Sequence, residues 1–387
     1  MILIWCFIGA IAGIIAGLIP GLHSNNIAIL TATSPFFGME ITSFMLSMCT
    51  TQIFIEFIPA VFIGAPSENT FESILPAHRM LLEGKAIEAI CLSTTGALIA
   101  IIVGSLLTPL FFLFIKQNSK EIILVTPLVL IFALIVFVIS EKTPKRMLLV
   151  FFVIIAASSQ GILFENQIFP LITGYFGVAG ILYSLKEKEI LVKQQENVTI
   201  SFSVIKESLI GVIGGSIVSI MPGIGSNTAA GIINTFRNKK STNEYLAMLG
   251  AINASNFFFS YSTLFALSKA RNGGMLALQN KIFFTQETFF IGTIIMIFAA
   301  GIGGLVAIIL SKKAIKIFTQ SFTQKISIWA LVFVILLVFA LNGFIGLSAL
   351  LFSTALGLFV LTNNLRRSIC ISSLIVPVLF FYLFILI

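Results

Sequence analysis

The chain contains no aspartate, because all 15 of its acidic residues are glutamates. Only 10% of its 387 residues are charged, whereas soluble domains carry about 25%. Two histidines and four cysteines are scattered singly, and no Gly-x-x-x-x-Gly-Lys-Ser/Thr phosphate loop occurs. These absences exclude aspartyl proteases, aspartyl-phosphate pumps and P-loop ATPases. They predict a protein without catalytic residues, metal site, bound cofactor or nucleic-acid partner.

Hydrophobic residues make up 58% of the chain, and the mean hydropathy is +1.09. Several runs are nearly free of charge and reach the roughly 20 residues that cross a bilayer. The sequence therefore predicts an integral membrane protein that crosses the membrane many times. Hydrophobic segments fall at 2–19, 41–64, 86–115, 120–140, 145–164, 168–185, 204–221, 245–268, 286–310, 326–341, 345–361 and 368–386.

An internal repeat divides the chain near its centre. Residues 9–25 (GAIAGIIAGLIPGLHSN) resemble residues 211–227 (GVIGGSIVSIMPGIGSN) at an offset of 202 positions. The ordered match of small and polar residues favours duplication over a chance recurrence of Pro-Gly. We therefore divide the chain into a first membrane repeat, a polar cytoplasmic linker and a second membrane repeat, at 1–190, 191–203 and 204–387.

The loop charges predict how the two repeats are oriented, because cytoplasmic loops are rich in Lys and Arg. If each Pro-Gly pair is the tip of a re-entrant hairpin, 18 of the 23 basic residues lie on one side. If those segments cross completely, the split becomes 12 to 11. The predicted fold is all-α, with about ten transmembrane helices and two re-entrant helical hairpins in two repeats of inverted topology. Both termini are expected outside a plasma membrane.

The two predicted tips are the candidate substrate site. Proline and glycine break a helix and leave backbone groups unpaired, which membrane proteins tolerate only around a buried or wet site. Two helix N-termini that converge there attract an anion such as a carboxylate. The alternative is that these residues only cap kinked helices. The candidate substrate-binding residues are Pro20, Gly21, Ser24, Asn25, Asn26, Pro222, Gly223, Gly225, Ser226, Asn227 and Thr228.

Other polar residues in apolar surroundings are candidates for ion coupling or for the transport pathway. Glu56 lies deep in an apolar segment, where a carboxylate costs about 2.5–3.5 kcal/mol on insertion scales. Glu56 and Glu68 are candidates for coupling to Na⁺ or H⁺, and Asn69, Asn253 and Asn256 for the pathway. The alternatives are a hydrogen-bonded structural glutamate at 56, a solvated loop around 68, and amides that join helices.

The twin motifs Pro20-Gly21 and Pro222-Gly223, each after a glycine-spaced helix, resemble those of the large membrane subunit of tripartite tricarboxylate transporters. The strings 57–66 (FIPAVFIGAP), 75–79 (LPAHR) and 270–273 (ARNG) are similar to the short archaeal-type branch of that family. The resemblance implies a secondary transporter for small carboxylates, with the tips as the substrate site. It also implies two partners, a small membrane subunit and a substrate-binding protein.

The sequence departs from the family pattern at two places. His23 stands where the tip commonly has glycine, and the chain lacks the long glycine-rich segment after the first tip. We predict a permease that moves tri- or dicarboxylates along a sodium or proton gradient. A passive channel, a lipid flippase and a membrane-embedded enzyme are the alternatives.

Overall fold

A computed structural model describes residues 1–19, 35–62, 74–186, 192–195, 198–221, 225–236, 241–317 and 320–386, and every regular element in these ranges is helical. In chain order the helices are α1 (Ile2–Leu18), α2 (Met39–Ile55), α3 (Phe57–Phe62), α4 (Ile74–Leu82), α5 (Ala86–Gln117), α6 (Ser119–Ile139), α7 (Pro144–Leu163), α8 (Ile168–Ile172), α9 (Ala179–Lys186), α10 (Phe202–Val218), α11 (Ser226–Thr235), α12 (Thr242–Leu267), α13 (Gly273–Gln279), α14 (Gln286–Ile317), α15 (Gln320–Thr362) and α16 (Ser372–Leu386). A π-helical turn, Thr173–Val178, joins α8 to α9, and a 3₁₀ turn, Arg367–Ile371, precedes α16.

The apolar runs of the sequence form long helices, as predicted. Eight helical segments in the described ranges are long and apolar enough to span a membrane. One of them lies in α15, whose 43 residues are interrupted at Gly343 by a non-helical backbone with φ 61° and ψ −154°. Without this break the helix would be about 65 Å long, twice the roughly 30 Å of a hydrocarbon core. The break falls between the two predicted segments 326–341 and 345–361.

Glycines let α1 approach the backbone of α2 very closely. A Cβ atom added to Gly9 would clash with the carbonyl of Phe44, and one on Gly13 would clash with the carbonyl of Met48. Because Gly9 faces Phe44 and Gly13 faces Met48, the two helices run in the same direction. Such close contacts also allow weak Cα–H···O=C hydrogen bonds between helices.

The same arrangement recurs between α10 and α12. Gly211 packs on the carbonyl of Met248 and Gly215 on that of Ile252, so these helices are also parallel. The glycines are related to Gly9 and Gly13 by the 202-residue offset, and their partners to Phe44 and Met48 by 204 residues. Between the two, α11 turns back along α10, since a Cβ on Gly214 would lie 2.8 Å from Cδ1 of Ile233.

The next long helix of each half packs against the other half. On α5, a Cβ at Gly104 would lie 3.2 Å from the ring of Phe258 of α12. On α14, a Cβ at Gly303 would lie 2.9 Å from the ring of Phe54 of α2. Phe54 and Phe258 are again 204 residues apart, so the two exchanged contacts correspond.

The directions of α5 and α14 also show how the pair α1–α2 is oriented relative to the pair α10–α12. Helix α5 runs parallel to α12, because Asn243 donates a hydrogen bond to Glu88 (2.9 Å) while Gly104 meets Phe258. Helix α14 runs parallel to α2, because Gly292 lies beside Leu46 and Gly303 beside Phe54. Helices α5 and α14 are antiparallel, since Leu98 meets Gly304 and Phe112 meets Phe289. The pair α1–α2 therefore runs opposite to the pair α10–α12.

Loops that the charge pattern assigns to one side meet at one end of the bundle, which we call the linker end. Its contacts are Gln195 N to Gly84 O (2.7 Å), Gln194 Nε2 to Leu81 O (2.9 Å), Asn243 Nδ2 to Glu88 Oε1 (2.9 Å), Arg146 Nη2 to Asn364 O (2.8 Å) and Arg366 Nη1 to Thr235 Oγ1 (2.6 Å). At the opposite end, called the far end, the N–H of Gly38 donates to the carbonyl of Lys281 (2.8 Å) and Arg271 donates to the Tyr382 hydroxyl (3.2 Å).

The buried apolar residues form two main clusters. The larger one is built mainly from α2, α5, α12, α13 and α14, and the second mainly from α6, α7, α8, α15 and α16. The most hydrophobic stretch of Met39–Phe62 is 94% buried, whereas the most hydrophobic stretch of Lys325–Thr362 is only 17% buried. Helix α2 is therefore central, whereas α15 presents most of its surface outward.

We expect the substitution Gly13→Ala to destabilise the protein by about 1–3 kcal/mol, because its methyl group would overlap a backbone carbonyl that cannot rotate away. Gly301→Ala on α14 is the matched control, since among the described residues no atom lies within 4 Å of its added Cβ. Thermal unfolding of the two purified variants in detergent measures the difference. A Gly13→Ala protein as stable as the control would contradict the packing of α1 on α2.

Candidate functional site

The second predicted tip leads directly into α11. Gly225 precedes the helix with an extended backbone (φ −91°, ψ 167°), and Ser226 is the first helical residue. Ser226, Asn227 and Thr228 are at most 1% exposed. The first turn of α11 and the positive end of its dipole are thus surrounded by protein. Beside this helix start, a Cβ added at Gly225 would have no described atom within 4 Å apart from those of its chain neighbours.

A predicted pathway residue contacts this tip. Asn256 of α12 donates a hydrogen bond from Nδ2 to Oγ of Ser226 at 3.1 Å. Asn253, one turn earlier on the same helix, is 3% exposed. The hydroxyl of Thr228 is buried and has no hydrogen-bond partner among the described residues. The start of α11 therefore combines helix N–H groups with hydroxyl and amide side chains, a set that can bind an anion.

In the first half, Glu56 lies at the end of α2, the helix that corresponds to α12. It separates α2 from α3, its backbone N–H donates to the carbonyl of Gln52 (2.9 Å), and it is 3% exposed. A Cβ added at Gly17, near the end of α1, would lie 3.2 Å from the backbone nitrogen of Glu56. The structure thus places the backbone of Glu56 next to the end of α1, just before the first predicted tip.

The remaining predicted site residues lie outside the described part of the chain, and their roles stay predictions. In the first half these are Pro20, Gly21, Ser24, Asn25, Asn26, Glu68 and Asn69, and in the second half Pro222 and Gly223.

Sequence reasoning missed Gln52, which is 4% exposed on α2. Aligning the two Pro-Gly tips, at an offset of 202, pairs position 52 with Ala254. Aligning the helix contacts of the two halves, at an offset of 204, pairs it with Asn256. The difference arises because the stretch between the paired helices is two residues longer in the second half. Aligning α2 and α12 separately from the tips would have found the match.

The sequence also gave no role to the segment before α16 beyond its loop charge. Arg366 donates to the hydroxyl of Thr235, the last residue of α11, at 2.6 Å. A Cβ at Gly231 of α11 would lie 3.7 Å from Oγ of the fully buried Ser368. The 3₁₀ turn therefore supports α11 from outside the hairpin, a non-local contact that no local pattern predicts.

Comparison with known proteins places the chain in a family. Residues 3–372 match the family model described as the tripartite tricarboxylate transporter TctA family. An uncharacterized protein of Methanocaldococcus jannaschii is 25% identical over 398 residues, covering 98% of this chain and 99% of that protein. No solved structure matches. Because the family match covers nearly the whole chain and agrees with the helical architecture, this multi-pass membrane protein belongs to the TctA family of tripartite tricarboxylate transporters.

Proposed function

We propose that this chain is a secondary active permease that moves small tri- or dicarboxylates across the plasma membrane, driven by a sodium or proton gradient. The start of α11 carries the proposal. Its three buried polar residues, Ser226, Asn227 and Thr228, lie at a helix N-terminus in a member of a transporter family. A carboxylate bound there would accept hydrogen bonds from N–H groups and gain from the helix dipole.

Inverted repeats with broken helices near the bilayer midplane are the common architecture of secondary transporters. The opposite directions of α1–α2 and α10–α12, with matched glycine contacts in both, support an inverted repeat. The return of α11 along α10 supports a re-entrant hairpin, and counting the two parts of α15 and adding α12 gives ten crossings. With the linker end in the cytoplasm, both termini lie outside.

Glu56 is our candidate for ion coupling. It is buried beside the end of α1, and its counterpart at an offset of 204 is the uncharged Ser260. The first half therefore offers a carboxyl group to a cation or proton, whereas the second half offers helix N–H groups to the substrate. Such a division lets one site bind an anion and a coupling cation together. Glu68 keeps the same candidate role from the sequence alone.

Two partners follow from the name of the family. A tripartite transporter pairs its large permease with a small membrane subunit and a substrate-binding protein. We propose that this chain works with both, and that the binding protein meets it at the far end. A passive channel and a lipid flippase differ from the permease in the outcome of the transport test below.

Purified protein in liposomes should accumulate radiolabelled citrate or succinate above the outside concentration when a sodium or proton gradient is imposed. Asn227→Ala should lower uptake about tenfold or more, since a hydrogen bond to a charged group contributes about 1.5–3 kcal/mol. Asn234→Ala, the same change seven residues along α11, is the control and should transport normally. Uptake that only equilibrates indicates a channel, and lipid scrambling without uptake a flippase; either would contradict the proposal.

In the same liposomes, Glu56→Gln should abolish the dependence of uptake on the imposed gradient, because the amide keeps the shape but not the charge. Glu287→Gln, at the exposed start of α14, serves as the control and should remain gradient-driven. If Glu56→Gln liposomes still accumulate substrate in response to the gradient, Glu56 is not the coupling residue.

A further inference from the structure

Gln52 of α2 and Asn256 of α12 occupy equivalent positions in the two halves. On α1, a Cβ at Gly13 would lie 3.0 Å from Cβ of Thr51, the residue before Gln52. On α10, a Cβ at Gly215 would clash with Ser255, the residue before Asn256. In each half, therefore, the amide residue directly follows a hydroxyl residue that contacts a glycine of the first hairpin helix, α1 or α10.

Residues close to the two amides in the chain meet at one glycine of α13. A Cβ at Gly274 would lie 2.9 Å from Sγ of Cys49 and 3.1 Å from the ring of Phe257. Cys49 precedes Gln52 by one helical turn, and Phe257 directly follows Asn256. Helices α2 and α12 therefore come close together at this level, where both contact the same glycine of α13.

We infer that Gln52 is a substrate-binding residue that donates a hydrogen bond from its amide to a second carboxylate of the substrate. This inference rests on the proposed function. Asn256 is already engaged with Ser226 at the start of α11, where the first carboxylate binds. Gln52 has one more methylene group than asparagine, so its amide reaches further from α2. A site with an anion position in one half and an amide in the other selects molecules that carry two carboxylates.

Binding to purified protein tests this role through thermal stabilisation by succinate, which has two carboxylates, and butyrate, which has one. Gln52→Leu should weaken succinate binding about tenfold and leave butyrate binding unchanged. Gln52→Glu should weaken succinate binding further, because like charges repel. Thr50→Val, another buried polar change on α2, is the control and should leave the preference for succinate intact.

The outcomes separate this role from a structural one and from failure of the proposed function. A purely structural Gln52 would lower the unliganded melting temperature and affect both acids equally, which would overturn the inference. Uptake should show the same pattern, with a raised KM for succinate and an unchanged maximal rate. If the unmodified protein binds neither acid nor citrate, the proposed function fails, and this inference fails with it.

A second proposal concerns α13, a seven-residue helix that packs against both α2 and α12. It begins with Asn272, whose side chain accepts a hydrogen bond from the N–H of Met275 (3.0 Å). Gly274, Met275 and Leu278 are buried. Cys49, which lies beside Gly274, is ten residues, or about 15 Å, from the start of α2 at the far end. Helix α13 therefore extends well into the bundle. It lies between the far end and the level of Gln52 and Asn256.

We further propose that α13 is the lid that closes the substrate site toward the far end, and that transport requires it to move away from α2 and α12. Glycine at 274 permits the closed position, since any side chain there must displace Cys49 or Phe257. This proposal also rests on the proposed function.

A disulfide to the native Cys49 tests the lid. In a chain with Cys6, Cys91 and Cys370 replaced by alanine, Gly274→Cys would place its Cβ 2.9 Å from Sγ of Cys49. That separation suits a disulfide, in which Cβ lies about 3 Å from the far sulfur. Oxidation with copper phenanthroline should form the cross-link and abolish citrate uptake, and dithiothreitol should restore it. The same chain with Cys49→Ala should be insensitive to oxidation.

If the reduced protein transports citrate, the proposed function stands. A loss of uptake on oxidation then reports on α13 alone. A cross-linked protein that transports at the reduced rate would overturn the lid. A folded, transporting protein in which no cross-link forms would overturn the closed contact itself.

Discussion

The close approach of glycine faces to helix backbones is the contact on which the rest of the structure depends. Gly9 and Gly13 bring α1 onto the carbonyls of α2, and Gly211 and Gly215 do the same for α10 on α12. Because the paired helices run in the same direction, the chain between them must turn back before the second one begins. In the second half α11 makes that return, and its N-terminus lies inside the protein beside Asn256. The site is therefore a consequence of the packing.

The exchange of α5 and α14 joins the two halves into one unit. Gly104 packs on Phe258 and Gly303 on Phe54, so each pair of parallel helices is held by a helix from the opposite half. The buried polar residues of α2 and α12 belong to this unit, whereas α6, α7, α15 and α16 contribute mainly to a second cluster.

Much of the helical architecture could be predicted from the sequence, because apolar length and helix breakers are local properties. The segments 326–341 and 345–361 are an example, since Gly343 interrupts α15 between them. The start of α11 was predicted for the same reason, because Pro-Gly and Ser-Asn-Thr are adjacent in the chain. The exchanged helices, Gln52 and the insertion of α13 were not predicted. They depend on contacts between residues far apart in the sequence, such as Gly274 with Cys49 and Phe257.

The central claim is that the start of α11 is the carboxylate site of a permease, which must therefore be reached from both sides of the membrane during transport. Gly225 is suited to a direct test, because no described atom other than those of its chain neighbours lies within 4 Å of an added Cβ. In a chain whose native cysteines are replaced by alanine, Gly225→Cys can be exposed to a membrane-impermeant maleimide in intact cells and in inside-out vesicles. The account predicts labelling from both sides, slowed by citrate in each case. Labelling from one side only, or at a rate that citrate does not change, would contradict it.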